Sequence, residues 1–463
     1  MQFKDLSLSD PLLKRISELD FEEPTAIQKI AIPEILNGQN AIIRAETGSG
    51  KTAAFAIPLL SGIQIPKNEI EALILVPTRE LAVQVQKEIK NLAFYIPNLK
   101  ISAFYGGHAF DAERKSLMHP PHILVATPGR LADHLRRDTV KLENVTYFVI
   151  DEADKLLEMG FEEELKFILK YLPFKRQTIM LSATFPPALD KLATIIFREI
   201  PARLEADSKT VPLQIENIII KSAEAEKDNV LKVILEKSLE TNAIIFCNTR
   251  DKCRAISQLL ENYNIKNGLL HGELEQADRD KVMAKFRNGS IKVLVATDLA
   301  SRGIDIIKLG VVINYELPDQ SSAFLHRVGR TGRAGEQGLV YSIVTDREWH
   351  KLQNWTDIPD YRIIALKNIL ETSSKSKLEN PPKKVQSKST LHFQAGRKEK
   401  MSKGDIVGAL IAEAGLESSE IGIIEIFDHF SYAAVPSSKA KQTVEKLTNG
   451  KIKGKKIKVS LLN

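Results

Sequence analysis

Three short segments carry side chains suited to phosphate chemistry. Ala45-Glu46-Thr47-Gly48-Ser49-Gly50-Lys51-Thr52 follows the apolar run Ala41-Ile42-Ile43 and opens a helical pattern. Glycines there let backbone N–H groups curl around phosphate oxygens. Lys51 reaches toward β- and γ-phosphates, and the Thr52 hydroxyl is placed to help hold Mg2+. Ala45 stands where the general pattern has its first Gly. Asp151-Glu152-Ala153-Asp154 follows the run Tyr147-Phe148-Val149-Ile150. Carboxylates at the C-terminal end of a parallel strand face the ligand crevice. Asp151 is therefore a candidate Mg2+ ligand, partly through water, and Glu152 a candidate to orient or deprotonate an attacking water. His326-Arg327-Val328-Gly329-Arg330-Thr331-Gly332-Arg333 presents three arginines at three-residue spacing, and arginine forks pair with phosphate oxygens. The second half of the chain has no phosphate loop of its own. One nucleotide site, completed by Arg330 and Arg333, is the economical expectation.

The elements that must position these groups are legible as apolar runs between helical patterns. Leu73–Val76, Ile123–Ala126 and Thr178–Leu181 join the runs already named, and the pattern restarts with Ile218–Ile220, Ala243–Phe246, Val293–Ala296, Val311–Ile313 and Val340–Ile343. Nearly continuous apolar strands between amphipathic helices predict parallel sheets covered on both faces. Two α/β units are expected, at residues 1–207 and 208–370. They are joined where Asp207-Ser208-Lys209-Thr210-Val211-Pro212 breaks the pattern. Residues 371–389, with Asn380-Pro381-Pro382-Lys383-Lys384, read as a flexible basic linker, and residues 390–463 as a small third domain.

Composition narrows the function. The 463 residues are 43% hydrophobic and 27% charged, an ordinary globular balance. The net charge of +6 is unevenly placed, since residues 371–463 hold +7 and residues 1–370 hold −1. A basic end suggests a polyanionic partner. Two cysteines, Cys247 and Cys253, rule out a disulfide framework or a Cys-rich metal site and read as packed thiols. No apolar run is long enough for a membrane span, and the N-terminal residues lack a basic-then-apolar signal, so a cytoplasmic protein with no membrane partner is expected. No obligate protein partner is evident.

Together these motifs resemble the DEAD-box RNA helicases over residues 1 to ~370, the resemblance running in family order. Asp151-Glu152-Ala153-Asp154 is the name motif, and Phe21-x-x-Pro24-Thr25-x-Ile27-Gln28 matches the Q motif, with Phe3 upstream and Asp20 where Gly is commoner. The resemblance implies two tandem RecA-like parallel-sheet domains and ATP with Mg2+ as the nucleotide and metal. Gln28 then reads the adenine edge, Phe21 stacks near the base and Thr25 joins them. Ser182-Ala183-Thr184, with Asp154 and His326, couples hydrolysis to unwinding. Gly303 and Asp305, in Thr297-Asp298-Leu299-Ala300-Ser301-Arg302-Gly303-Ile304-Asp305, approach the nucleotide. RNA-facing positions are Pro77, Thr78, Arg79, Gly106, Gly107, Thr127, Gly129, Arg130, Arg250, Gln276, Arg279, Thr297 and Arg302. Thr hydroxyls, backbone N–H groups and guanidinium suit a ribose-phosphate backbone, which carries no base code. Taken singly, Thr78 and Gly106 would more often be a cap and a turn. The implied mechanism is local strand separation, in which ATP and RNA close the two units and hydrolysis reopens them.

The third domain reads as strand Leu391–Gln394, helix Ser402–Ala414, strands Ile423–Phe427 and Phe430–Val435, helix Lys439–Leu447 and strand Lys456–Leu461, an α+β layout like an RNA recognition motif. Lys456 and Lys458 alternate with Ile457 and Val459, giving a basic face to which Lys451, Lys453 and Lys455 add. Phe430 and Tyr432 share a face, and the sequence leaves open whether they stack on bases or fill the core. This domain resembles the RNA-binding module of the DbpA subfamily through Gly404-Asp405-Ile406-Val407-Gly408-Ala409-Leu410 and Asn449-Gly450-Lys451-Ile452-Lys453-Gly454-Lys455. That implies a 23S rRNA hairpin as target and a role in large-subunit assembly.

Overall fold

In a computed structural model, seven strands form the first sheet: β1 (Ala41–Arg44), β2 (Ala72–Leu75), β3 (Ile101–Phe104), β4 (Ile123–Ala126), β5 (Tyr147–Ile150), β6 (Gln177–Ser182) and β7 (Ala202–Glu205). The structure describes residues 1–462 except 20, 22, 46–48, 108–109, 186, 207–214, 239–240, 299–308, 333–337, 356–357, 366–387 and 428. Expectations for Asp20, Glu46, Thr47, Gly48, Arg302, Gly303, Asp305, Arg333, the 207/208 boundary and residues 371–387 of the linker lie outside the described residues, as does the Gln276 side chain.

All pairings in this sheet are parallel, in the order β3-β4-β2-β5-β6-β1-β7. Strand side chains alternate between faces. Ile43, Ile74, Val125, Val149 and Ile179 pack under one layer of helices, and Leu73, Leu75, Leu124, Phe148, Ile150 and Met180 under the other. Both faces are dry, which is why the inner strands read as unbroken apolar runs.

The second sheet repeats the plan. β8 (Ile215–Lys221), β9 (Ala243–Phe246), β10 (Asn267–Leu270), β11 (Val293–Ala296), β12 (Val311–Asn314), β13 (Gly338–Val344) and β14 (Arg362–Ala365) lie in the order β10-β11-β9-β12-β13-β8-β14, again all parallel. Every position is the first sheet's strand number plus seven. The described residues divide into two compact units, one before and one after residues 207–214. Cys247 and Cys253 are buried free thiols, as expected.

The third domain packs within the second unit. Its sheet is antiparallel, β16-β17-β15-β18, from β15 (Lys388–Phe393), β16 (Ile424–Ile426), β17 (Ser431–Pro436) and β18 (Val459–Leu461). Helices Lys403–Ala412 and Ser437–Asn449 cover one face over Leu391, Phe393, Ala433 and Val435. Two expectations change. The domain begins at Lys388, inside the stretch assigned to the linker, because Lys388 and Ser389 already pair with Pro436 and Val435. The last strand starts at Val459, not Lys456. Lys453 and Gly454 take left-handed backbone angles (φ 53° and 75°), Ile452 bridges Lys455, and this turn uses up the residues expected to extend the strand. Lys456 and Lys458 are therefore exposed in the approach to the strand rather than on its face.

Candidate functional site

Loops at the C-terminal ends of the first sheet sort by strand order. Those after β5, β6 and β1 sit side by side and hold the phosphate-type residues, while those after β3, β4 and β2 hold the RNA-type residues.

Lys51 is the first residue of the helix Lys51–Gly62, whose cap, Gly50, has φ 88°. That angle favours glycine, and a Cβ at Gly50 would collide with the Gln28 side chain. Lys51 is 8% exposed, and its Nζ is buried with no hydrogen-bond partner among the described residues. An ammonium left so is costly unless an anion completes it, so the residues present fit a phosphate. Asp151 is buried, and burial pushes its carboxyl up to about 6; Lys51 pulls it down and Glu152 pushes it up. Its Oδ1 accepts from the Glu152 N–H at 2.9 Å. The Asp151 carboxylate and the hydroxyl of Thr52, the residue after Lys51, are oxygen donors of the kind Mg2+ takes alongside water. Glu152 has a left-handed backbone (φ 51°) and its carboxylate pairs with the buried Lys155 at 2.8 Å.

The Q-motif residues hold the phosphate loop itself. Thr25 and Gln28 form a capping box on the helix Ala26–Leu36. The Thr25 hydroxyl donates to the Ser49 carbonyl at 2.8 Å, and the Gln28 amide donates to the Gly50 carbonyl at 3.1 Å. A Gln amide has two N–H donors and two lone pairs, so these bonds leave capacity for an adenine edge. Phe21 stacks on Phe3 with ring centres 6.3 Å apart. Asp154 accepts from both the Thr184 N–H (2.9 Å) and hydroxyl (2.8 Å), and Ser182 donates to the Thr184 carbonyl at 2.6 Å. This ties the loops after β5 and β6 into one piece.

The RNA-type loops of the first unit also converge. Thr78 accepts from the Leu81 N–H at 3.2 Å, so it is a helix cap. The Arg79 guanidinium lies against Gly106, where a side chain would meet it. Gly107 turns with φ 96°. Thr127 heads the helix Pro128–Arg136 without capping it through its side chain, and open space surrounds Gly129. Arg130 donates from Nε to Glu113 at 2.6 Å. Glu113 lies outside every motif, and no spacing marks it.

In the second unit Arg327 departs from the phosphate reading. It is 1% exposed, and all five of its N–H donors are taken. They go to both Asp298 oxygens (2.6 and 2.7 Å), the side-chain oxygens of Asn248 (2.9 Å) and Asn314 (3.2 Å), and the Glu316 carbonyl (2.6 Å). It locks together the loops after β9, β11 and β12. Arg330, at the turn beyond the helix Ser321–Val328, is buried too. Thr297 follows β11. Arg250 begins the helix Arg250–Asn262 and pairs with Glu273, which also meets Arg254 at 3.5 Å. Burial, then the charges of Arg254, Arg250 and Arg279, push His271 below its ordinary value, which places three arginines around that loop. Sequence reading missed Arg254, though it lies four residues after Arg250 on one helix.

On the third domain, Lys453 donates to Asp405 (3.1 Å) and the Lys400 carbonyl (3.0 Å), while Lys451, Lys455, Lys456 and Lys458 are exposed. The open sheet face, carrying Thr390, His392, Glu425 and Tyr432, meets the second unit's parallel-sheet domain. Arg287 pairs with Glu425, donating from Nη2 at 3.1 Å with Nε 2.9 Å from the other carboxylate oxygen, and Ser290 and Thr390 hydroxyls lie 2.6 Å apart. Tyr432 is 2% exposed; burial, then Asp280 and Glu425, pushes its phenol up to about 12. Phe430 joins Tyr432, His392 and Phe427 in one ring cluster rather than the core under the helices. Among the described residues, no helix is long and apolar enough to cross a membrane.

Comparison with known proteins agrees with this geometry. Residues 25–192 match the DEAD/DEAH box helicase family, residues 226–335 the helicase conserved C-terminal domain, and residues 390–461 the DbpA RNA binding domain. The ATP-dependent RNA helicase DbpA of Escherichia coli is 39% identical over 461 residues, covering 99% of each chain. Its Bacillus subtilis namesake is 36% identical over 480 residues, covering 100% of this chain and 99% of the other. Among solved structures, S. cerevisiae Dbp5 bound to RNA and ADP BeF3 superposes with a TM-score of 0.73 at 28% identity, covering 81% of this chain and 98% of that one.

Proposed function

This chain belongs to the DEAD-box ATP-dependent RNA helicases of the DbpA family, and from that premise we propose that it separates short RNA duplexes in large-subunit (50S) precursors, held to a 23S rRNA hairpin by its third domain. The observation that carries this reading is the near-complete alignment to two proteins named DbpA, which takes in the third domain as well as the motor.

At the nucleotide, Lys51 neutralises the β- and γ-phosphates, and Gln28, Phe21 and Thr25 select adenine. Thr52 and Asp151, the latter partly through water, would hold Mg2+, which would supply charge neutralisation at the phosphates. Glu152 accepts the proton of the water that attacks the γ-phosphorus as the bond to the β–γ bridging oxygen breaks. Arg330 and Arg333 stabilise the charge that develops, with Gly303 and Asp305 beside the nucleotide. Thr78, Arg79, Gly106, Gly107, Thr127, Gly129 and Arg130 in the first unit, and Arg250, Gln276, Arg279, Thr297 and Arg302 in the second, hold one RNA strand by its backbone. Lys451, Lys455, Lys456 and Lys458 contact the hairpin. The basic end predicts salt-sensitive targeting. Expression in the cytoplasm fits a ribosomal substrate.

The test compares ATPase stimulation by a 23S rRNA hairpin fragment with that by unrelated RNA of equal length. We expect half-saturation at a much lower concentration of the hairpin. Equal half-saturation defeats the targeting reading. Little strand displacement with ATP, no more than with a non-hydrolysable analogue, would instead favour an ATP-gated RNA clamp or RNP assembly platform that rarely separates strands.

A further inference from the structure

We propose that Glu113 is a positioning residue of the RNA track, a clamp that sets the Arg130 guanidinium and fixes the Gly106-Gly107 turn to the Thr127–Arg130 segment. The inference rests on the RNA-track reading above. Glu113 lies on the helix Phe110–Ser116, which follows that turn, and Arg130 lies in the first turn of Pro128–Arg136. Glu113 is 5% exposed. One of its oxygens, Oε2, faces both Arg130 Nε at 2.6 Å and His134 Nε2 at 3.0 Å. Among the described residues its other oxygen is buried with no hydrogen-bond partner, and the anchoring falls on Oε2.

His134 is itself wedged. It stacks between Phe104 (ring centres 4.9 Å apart) and Phe110 (4.3 Å), and Arg130 lies over Phe110 at 5.1 Å. Phe104 ends β3, Phe110 and Glu113 share the next helix, and His134 and Arg130 share the helix after β4. The carboxylate is thus the charged pin of an aromatic sandwich spanning two adjacent loops. A charge-assisted bond to Nε fixes the plane of a guanidinium. Removing it frees Arg130 to rotate and the two loops to part.

The experiment titrates ATPase activity of the full chain with polyuridylate. It uses wild type, Glu113→Gln, Glu113→Ala, Arg130→Ala and the Glu113→Gln/Arg130→Ala double variant. Heat unfolding monitors each chain. Glu113→Gln preserves shape, so it serves if Glu113→Ala is poorly folded. We expect the half-saturating RNA concentration to rise about tenfold in each Glu113 variant, with the plateau rate within about twofold of wild type. The double variant should be no worse than Arg130→Ala, since the clamp acts through that residue. The proposal is overturned if Arg130→Ala weakens RNA use while the Glu113 variants do not. It is overturned equally if the double variant is additive, or if the plateau falls in step with RNA affinity, which marks a merely structural carboxylate. If Arg130→Ala has no effect, the RNA-track reading fails first, and the clamp with it.

Discussion

The two parallel sheets share one strand order and differ in how each treats the same lysine. The helix after β1 begins at Lys51, and the helix after β8 begins at Lys227. Both ammonium groups are buried, but Lys51 Nζ has no hydrogen-bond partner among the described residues. Lys227 Nζ lies 2.9 Å from Glu348 and 3.1 Å from the Tyr315 carbonyl. Glu348 also accepts from the Leu317 N–H and from Thr345. At the position where the first sheet waits for phosphate, the second supplies a carboxylate of its own. A shared scaffold therefore becomes a site where a charge is left uncompensated, and becomes structure where it is satisfied.

Substitutions at the two lysines should separate these roles most sharply. Lys51→Ala should lower ATP hydrolysis by about two to three orders of magnitude while leaving the unfolding temperature nearly unchanged. Hydrolysis within tenfold of wild type would sink the assignment. Lys227→Met should do the reverse, costing roughly 1–3 kcal/mol in urea unfolding because it takes the ammonium partner from a largely covered carboxylate. Adding Glu348→Gln should recover much of that loss, and a double variant as unstable as the single would refute the pairing.

Acidity should also part the two regions. Burial raises the folded Asp151 carboxyl to about 6, so its stabilising contribution is present below its unfolded value and fades as pH rises through about 6. If Asp151 holds Mg2+ as proposed, catalysis needs the carboxylate, so ATPase rate should fall as pH drops below about 6, and added Mg2+ should move that limb to lower pH. A limb that ignores Mg2+ removes Asp151 from the metal's ligands. Burial alone would raise Glu348, but its bonds from Thr345 and Lys227 hold it below the usual range. Its contribution is present above its unfolded value and is lost as pH falls through the folded one, at pH values well below the catalytic limb. The smallest effect concerns the RNA rim of the second sheet. Arg254→Ala should weaken RNA binding about threefold and reduce the salt slope by about 1, read by fluorescence anisotropy across a salt series.

The apolar-run reading found ten inner strands and passed over four: β3, β7, β10 and β14. Those four are the edges of the two sheets. Ala202-Arg203-Leu204-Glu205 and Arg362-Ile363-Ile364-Ala365 are only half covered, so selection for dryness is weak and the signal fades. The motif residues were legible because backbone-hugging chemistry needs fixed types at fixed offsets. Glu113 and Glu348 were not, because the value of a carboxylate paired inside the fold depends on a partner distant in sequence. Arg327 shares its three-residue spacing with Arg330 and Arg333, and spacing does not tell that Asp298 already occupies the first of the three guanidinium groups. In the third domain element order was legible, while the Lys453-Gly454 turn displaced the expected strand and the covering of Tyr432 depended on a contact between domains.

The Thr25 and Gln28 bonds to the Ser49 and Gly50 carbonyls have a further consequence. On the proposed reading the base reader and the phosphate cradle are then bonded through the start of one short helix, so neither can shift without dragging the other. A nucleotide with the wrong base would be sensed as slackness under its phosphates, and fidelity for adenine would be enforced at the bond to be cut.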